Sequence, residues 1–315
     1  MKLDFIPRAC PLCGGEDATV IVEATLDEGR LTASAFASRK LPEYMHSRMV
    51  ECAGCGMLYA NPVLRPEALA EAYKDASFDS GTESQLAAVT YRAILEPHLP
   101  ALPSRNSALD IGAGDGAFLE ELLALGFQNV VGVEPSEAPI AAAKPTIRGC
   151  LRCGVFAAEQ FAAESLDLIT CFQVIEHVWD PVKIVSDAHA LLKPGGLFIA
   201  KTPNVRHYVP LIARMTPLWF HKLFNRLRKR NTEDTFPTLY QANCRRDVAT
   251  VTAAAGLSLD RIDFCEGRPE YLRFSVLTYL VGIAYERIVN AVSWLERFRV
   301  VMLVQLRKPV ESRGA

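Results

Sequence analysis

Between residues 107 and 204 the hydrophobic positions switch repeatedly between two periods. "SALDI", "NVVGVE", "LDLITCF" and "LFIAKTP" are short, nearly continuous apolar runs of strand length. Between them, "DGAFLEELLALG", "SEAPIAAAK" and "DPVKIVSDAHALLKPGG" place apolar residues at helical spacing. Gly126 ends the first of these helices, Ser136 caps the second, and Pro181 opens and Gly195 closes the third. "RRDVATVTAAAG", "LSLDRIDF" and "RVVMLVQLRK" continue the alternation. Strand and helix in strict succession predict a parallel sheet covered by helices on both faces.

The pattern differs on either side of this region. Residues 1–62 hold β-type stretches such as "ATVIVEATL" and four cysteines. Residues 63–104 read as a helical connector closed by Pro100 and Pro103. The alternating domain then spans 105–307 and leaves 308–315 as a tail. Two insertions interrupt it, at 205–243 and 269–298, the second with a long apolar helical pattern.

Composition narrows the function classes. The chain has 315 residues, half of them apolar, with a net charge of −2. No global field points to nucleic acid as a partner. The start, "MKLDFIPRAC", lacks the apolar run of an export signal, and no uncharged apolar stretch is long enough to span a bilayer. A cytoplasmic chain is expected, and its nine cysteines are expected to be thiols or metal ligands.

The candidate chemistry begins at "LDIGAGDGAF". Glycines in a strand–loop–helix turn let the backbone approach a ligand and aim N–H groups at it. The spacing is Asp110, Gly112, Gly114, Gly116. No Lys-Ser/Thr pair follows, as a phosphate loop needs, and the third glycine is one residue early for a dinucleotide site. Asp110 suits a cationic amino group. Glu134, at the end of the next strand, suits ribose hydroxyls. A ligand with a ribose, a cationic amino-acid part and no phosphate fits, and S-adenosylmethionine has all three.

"LDIGAGDGAFLEEL", "VVGVEPS", "LDLITCFQVIEHVWDPVKIVSDAHALLKPGGLFIAKTPN" and "AAAGL" together resemble the successive motifs of class I S-adenosylmethionine-dependent methyltransferases. The resemblance covers about 105–268 and the final strand. It implies an α/β fold, a Rossmann-like seven-stranded sheet. It implies that Asp110, Gly112 and Gly114 line the methionine end of the cofactor, that Glu134 binds its ribose, and that Phe172, Gln173 and Val174 border it. Ala113, Gly116 and Pro135 complete the cofactor set, and 154–156 lie toward the adenine.

Cys10-Pro-Leu-Cys13-Gly and Cys52-Ala-Gly-Cys55-Gly are matched knuckles. Four thiolates make a closed tetrahedral zinc site, structural because no coordination position stays open. A zinc ribbon ahead of a methyltransferase domain resembles that of sugar C-methyltransferases. The bland alternative is two unrelated reduced pairs. Cys150 and Cys153 read as ordinary thiols, and Cys171, Cys244 and Cys265 as buried small residues.

"QVIEH" puts Glu176 and His177 beside the methyl-transfer zone, where His177 can take a proton from an acceptor hydroxyl. Sugar C-methyltransferases carry a Glu-His pair ahead of the helix after the fifth strand. Here that region reads "TEDTFPTLYQAN", leaving Asp234, Thr235 and Tyr240. Transfer to oxygen is therefore expected, with His177 or Asp234 as base and Tyr240 as a further catalytic candidate. Residues 206–230 hold seven Arg or Lys and no acid, interleaved with apolar side chains. A lid, a homodimer interface and a peripheral membrane contact serving a lipid-linked substrate all suit this composition. An RNA methyltransferase and a non-catalytic zinc-containing scaffold remain alternative functions.

Overall fold

In a computed structural model of the chain, the residues described are 4–24, 47–74, 81–204, 206–207, 244–265 and 276–310. The alternating region builds one seven-stranded sheet. Its strands are β6 (Ser107–Ile111), β7 (Asn129–Glu134), β8 (Leu151–Cys153), β9 (Leu166–Phe172), β10 (Leu192–Pro203), β11 (Ser258–Cys265) and β12 (Val301–Arg307). Their spatial order is β11-β12-β10-β9-β6-β7-β8. β12 runs antiparallel to both neighbours, and the pairs among β6 to β10 are parallel. The Rossmann-like seven-stranded sheet expected of the class I fold is thus present.

Strand alternation divides the core into two layers. Leu109, Ile111, Ile169, Phe198 and Ala200 face helices α6 (Pro181–Leu191) and α7 (Arg245–Ala255). Ala108, Leu168, Leu197 and Ile199 face α2 (Gly81–Leu95) and α3 (Ala117–Ala124). Every residue of β9 is buried, as a central parallel strand covered on both sides requires. Short helices α4 (Glu137–Ala142) and α5 (Pro145–Arg148) link β7 to β8.

Local expectations need three corrections. The helix opened by Pro181 stops at Leu191, not Gly195, because Pro194 biases Lys193 toward extended backbone, and β10 starts at Leu192. Ser136 stands at the N-cap of α4 but makes no capping bond with its side chain. The capping bond seen is at α6, where the Lys183 N–H donates to Asp180 at 2.9 Å. Cys171 is buried, but Cys244, at the N-cap of α7, is half-buried, and Cys265 is exposed because β11 is an edge strand.

Ahead of this sheet, β2 (Ala18–Val22), β3 (Met49–Cys52) and β4 (Leu58–Ala60) form a small antiparallel sheet, and β1 (Phe5–Ile6) pairs with β5 (Val63–Leu64). Met49, Ala60, Val63 and Leu64 share an apolar cluster with Leu69 and Ala72 of α1 (Pro66–Lys74). Of the two insertions, residues 208–243 lie outside the described residues, and Asp234 and Tyr240 with them. The second contains α8 (Val276–Ala291), whose Val276, Leu277, Leu280, Val281 and Ile288 are exposed. Among the described residues no helix is long and apolar enough to cross a membrane.

Candidate functional site

The glycine loop lies at the carboxyl ends of β6 and β7, the edge where open α/β sheets hold ligands. The N–H groups of its three glycines and of Ala113 are engaged internally, which corrects the expectation that they point at a ligand. Gly112 and Ala113 donate to the Val133 carbonyl at 2.8 and 3.1 Å, and Gly116 to the Ala113 carbonyl at 3.0 Å. Gly114 donates to Glu134 Oε2 at 2.9 Å. Such a loop is poorly suited to bind a phosphate through its amides. Gly112, Gly114 and Gly116 have φ of +79°, +55° and +76°. Space for a Cβ at Gly114 is open, whereas one at Gly112 would sit 2.3 Å from Val174 Cγ2.

Gly112→Ala therefore combines left-handed backbone, about 1–2 kcal/mol, with overpacking, about 1–3 kcal/mol. The variant is expected to melt several degrees lower and to displace Val174. An unchanged melting curve together with unchanged ligand affinity would contradict this.

Two acids converge on the loop. Asp110 lies on the α2/α3 face of β6, is 5% exposed, and accepts from Thr170 Oγ1 at 2.6 Å. Burial pushes its carboxyl up to about 7, Thr170 opposes the rise and Glu134 adds to it. Glu134 accepts from the Gly114 and Ser136 N–H groups, each at 2.9 Å. Burial raises its pKa too, against the pull of those donors. Asp110 has no salt bridge among the described residues, so a cationic amine would relieve its desolvation. The open side of Gly114, a buried acid without a cation and a second acid at the end of β7 fit S-adenosylmethionine. Pro135 follows Glu134 directly, and Phe156 is buried beyond β8.

Three of the residues expected to border the cofactor lie where β9 ends. Phe172 packs with Tyr91 of α2 and Phe118 of α3, with ring centroids 4.4 and 5.4 Å away. Gln173 adopts φ +58°, unusual for a residue with a side chain, and donates its N–H to the Lys201 carbonyl at 2.7 Å. Val174 abuts Gly112.

Glu176 and His177 follow. Glu176 is 2% exposed, and its Oε2 has no hydrogen-bond partner among the described residues. Burial raises its pKa to about 7, opposed by its own backbone N–H, by Thr202 and by the Lys201 ammonium. His177 Nε2 stands 3.9 Å from Glu176 Oε1, longer than a hydrogen bond. Lys201 lies over the Tyr91 ring at 4.9 Å. Burial raises Tyr91 to about 12, helped by the Asp110 and Glu176 charges. Sequence reasoning missed Tyr91, Thr170 and Lys201, which sit in ordinary helical or strand patterns without a motif.

The second assembly is the cysteine cluster. The four sulfurs of Cys10, Cys13, Cys52 and Cys55 lie within 4.8 Å of one another. Cys10–Cys55 and Cys13–Cys52 are both 3.5 Å apart. Gly14 and Gly56 both adopt φ +71° and close the turns by donating to the Cys10 and Cys52 carbonyls. Burial would raise the Cys52 thiol, but the Cys55 and Gly54 N–H groups and the Cys13 thiol outweigh it and bring it down to about 7. Sulfur donors, spacing and amide support fit a tetrahedral zinc ion.

A family model described as a methyltransferase domain matches residues 83–243, just over half of the chain. The chain belongs to this methyltransferase family. With the seven-stranded sheet, that makes it a class I S-adenosylmethionine-dependent methyltransferase. The ubiquinone biosynthesis O-methyltransferase of Pseudomonas aeruginosa is 39% identical over 108 residues, covering 31% of this chain and 45% of that protein. This methyltransferase thus spans less than half the length of that relative. The protein of the same name from Azotobacter vinelandii is 31% identical over 162 residues, covering 49% of this chain and 68% of that protein. A crystal structure of a SAM dependent methyltransferase from Archaeoglobus fulgidus superposes with a TM-score of 0.44 at 17% identity, over 70% of this chain and 94% of that chain.

Proposed function

We propose that the chain is an enzyme that transfers a methyl group from S-adenosylmethionine to a hydroxyl of a small, apolar or lipid-linked acceptor. The observation that carries the reading is the convergence of Asp110 and Glu134 on a loop whose glycine amides are already spent. Asp110 would hold the amino group, Glu134 the ribose, and Gly114 leaves room for both. When bound, the cofactor supplies an electrophilic methyl carbon. Glu176 Oε2 receives the proton of the acceptor hydroxyl, Lys201 favours the ionised carboxylate, and the Tyr91–Phe118–Phe172 rings keep water out.

Oxygen as the accepting atom is supported by Glu176, a buried carboxylate poised near neutrality, and by the similarity to O-methyltransferases. An apolar acceptor is supported by the exposed apolar residues of α8, which follows the carboxyl end of β11 on the ligand edge. The cysteine cluster is read as a structural zinc site, held by Cys10, Cys13, Cys52 and Cys55.

Calorimetry with S-adenosylhomocysteine tests the reading. Asp110 must ionise to meet the amine, so affinity is expected to rise between pH 5 and pH 8 with proton release. In the ligand-free protein the sign is opposite. Neutral Asp110 contributes stability that is complete below its ordinary value near 4 and is lost as pH rises through about 7. Asp110→Asn should weaken binding at least about tenfold, the loss of a charge-assisted contact, and flatten its pH dependence. No binding to the unmodified chain at any pH would sink the proposal, and methyl-labelled cofactor with catechol, lipid and RNA acceptors would identify the accepting class.

A further inference from the structure

The small N-terminal module and the loop carrying Glu176 and His177 are interlocked. Trp179, in that loop, packs on the module's cluster of Met49, Ala60, Val63 and Leu69. In return Leu12, between the first two cysteines, packs against the main core beneath α6 and α7. Gly56, at the end of the second knuckle, approaches Arg246 in the first turn of α7, where an added Cβ would lie 3.1 Å from Nη1.

Arg8 stands at the centre of this contact, two residues before Cys10. Its guanidinium Nη2 donates to the Trp179 carbonyl at 2.9 Å, and its Cζ lies 4.3 Å from the Trp179 ring centroid. Its own backbone N–H is anchored on Asn61 Oδ1 at 3.1 Å, and Asn61 in turn is held by Arg48. The loop from 173 to 180 is fixed at one end by Gln173 on the Lys201 carbonyl and at the other by the Asp180 cap. Arg8 grips it between those ends, three residues from Glu176.

We propose that Arg8 is a positioning residue that passes the metal-held geometry of the first knuckle to the Glu176–His177 loop. This rests on the reading of the cysteines as a zinc site and of Glu176 as the proton acceptor. Binding of zinc sets the turn at Cys10–Cys13, the turn sets the exit direction of Arg8, and Arg8 holds the Trp179 carbonyl and ring. The cysteine module is then a part of the acceptor site and not an appendage.

The test uses the full chain with Trp219→Phe and Trp294→Phe, leaving Trp179 as the single emitter, after removal of metal by chelator. Zinc is then titrated in. A zinc-dependent change in Trp179 emission is expected, together with slower amide exchange across 173–180. Arg8→Met keeps the length of the side chain and removes the guanidinium. It should bind zinc with the same stoichiometry, lose the emission change, and lower kcat at least about tenfold with the KM for cofactor unchanged. Arg8→Lys should recover part of both losses by keeping a cation over the ring. Zinc that binds but leaves Trp179 and the 173–180 amides unaltered overturns this proposal alone. So does an Arg8→Met variant that keeps the emission change or its full kcat. Absence of zinc binding overturns it together with the zinc reading, while cofactor binding would still stand.

Discussion

Glu176→Gln is expected to lower kcat by about 10²–10⁴-fold, the range for a lost general base, while S-adenosylhomocysteine binds as before. The substitution keeps shape and volume and removes the negative charge. Glu176 is suited to the role because its Oε2 is buried without a partner among the described residues and burial holds its pKa near 7. A base with that pKa is largely ionised at mildly alkaline pH yet still basic enough to take a proton. The unmodified enzyme should therefore gain kcat as pH rises through about 7, and the variant should lose that limb. His177, 3.9 Å away, is the competing base. If His177→Gln removed the pH-dependent limb and Glu176→Gln did not, the assignment would pass to the histidine.

Removing the cysteine ligands should have the largest effect on stability. Structural zinc contributes about 10–16 kcal/mol of apparent binding free energy in small zinc modules. The N-terminal sheets here are two- and three-stranded and too small to hold together on their own apolar clusters. Cys10→Ala with Cys52→Ala is expected to abolish bound zinc, measured by atomic spectrometry as one ion per unmodified chain. It should also unfold residues 4–24 and 47–64, seen as loss of amide protection. Cys150→Ala with Cys153→Ala should leave the zinc content unchanged, because neither belongs to the cluster. A metal-free chain with a fully protected module would refute the zinc reading. The interlock of Arg8 and Trp179 further predicts that the double cysteine variant loses activity even when its cofactor domain stays folded.

The glycine loop, the acids Asp110 and Glu134 and the paired cysteines are local spacings, and each was legible as a motif. Glu176 was visible beside His177, but nothing local ranked it above the histidine. Glu176 is buried in the folded chain, and the Thr202 and Lys201 groups that act on its carboxyl both come from β10, about 25 residues further on. Gly114 illustrates the same limit. Its glycine identity reads directly from the chain, but the donation of its N–H to Glu134 depends on how β6 and β7 align. The spent amides that make the loop unsuited to phosphate follow from that register and not from the spacing. Arg8 carried no signal at all, since its partner lies 171 residues away.

What the chain determined by itself was the succession of strands and helices, the position of the glycine turn and the two cysteine knuckles. Apolar period, glycine placement and ligand spacing act over a few residues, so they survive in a linear reading. The tertiary structure alone decided that β12 inserts between β10 and β11, that Glu176 is buried with an oxygen unpaired among the described residues, and that Trp179 packs on the N-terminal module. Those outcomes depend on contacts between distant segments and on the desolvation they impose, and desolvation has a value only once the surrounding layers have closed.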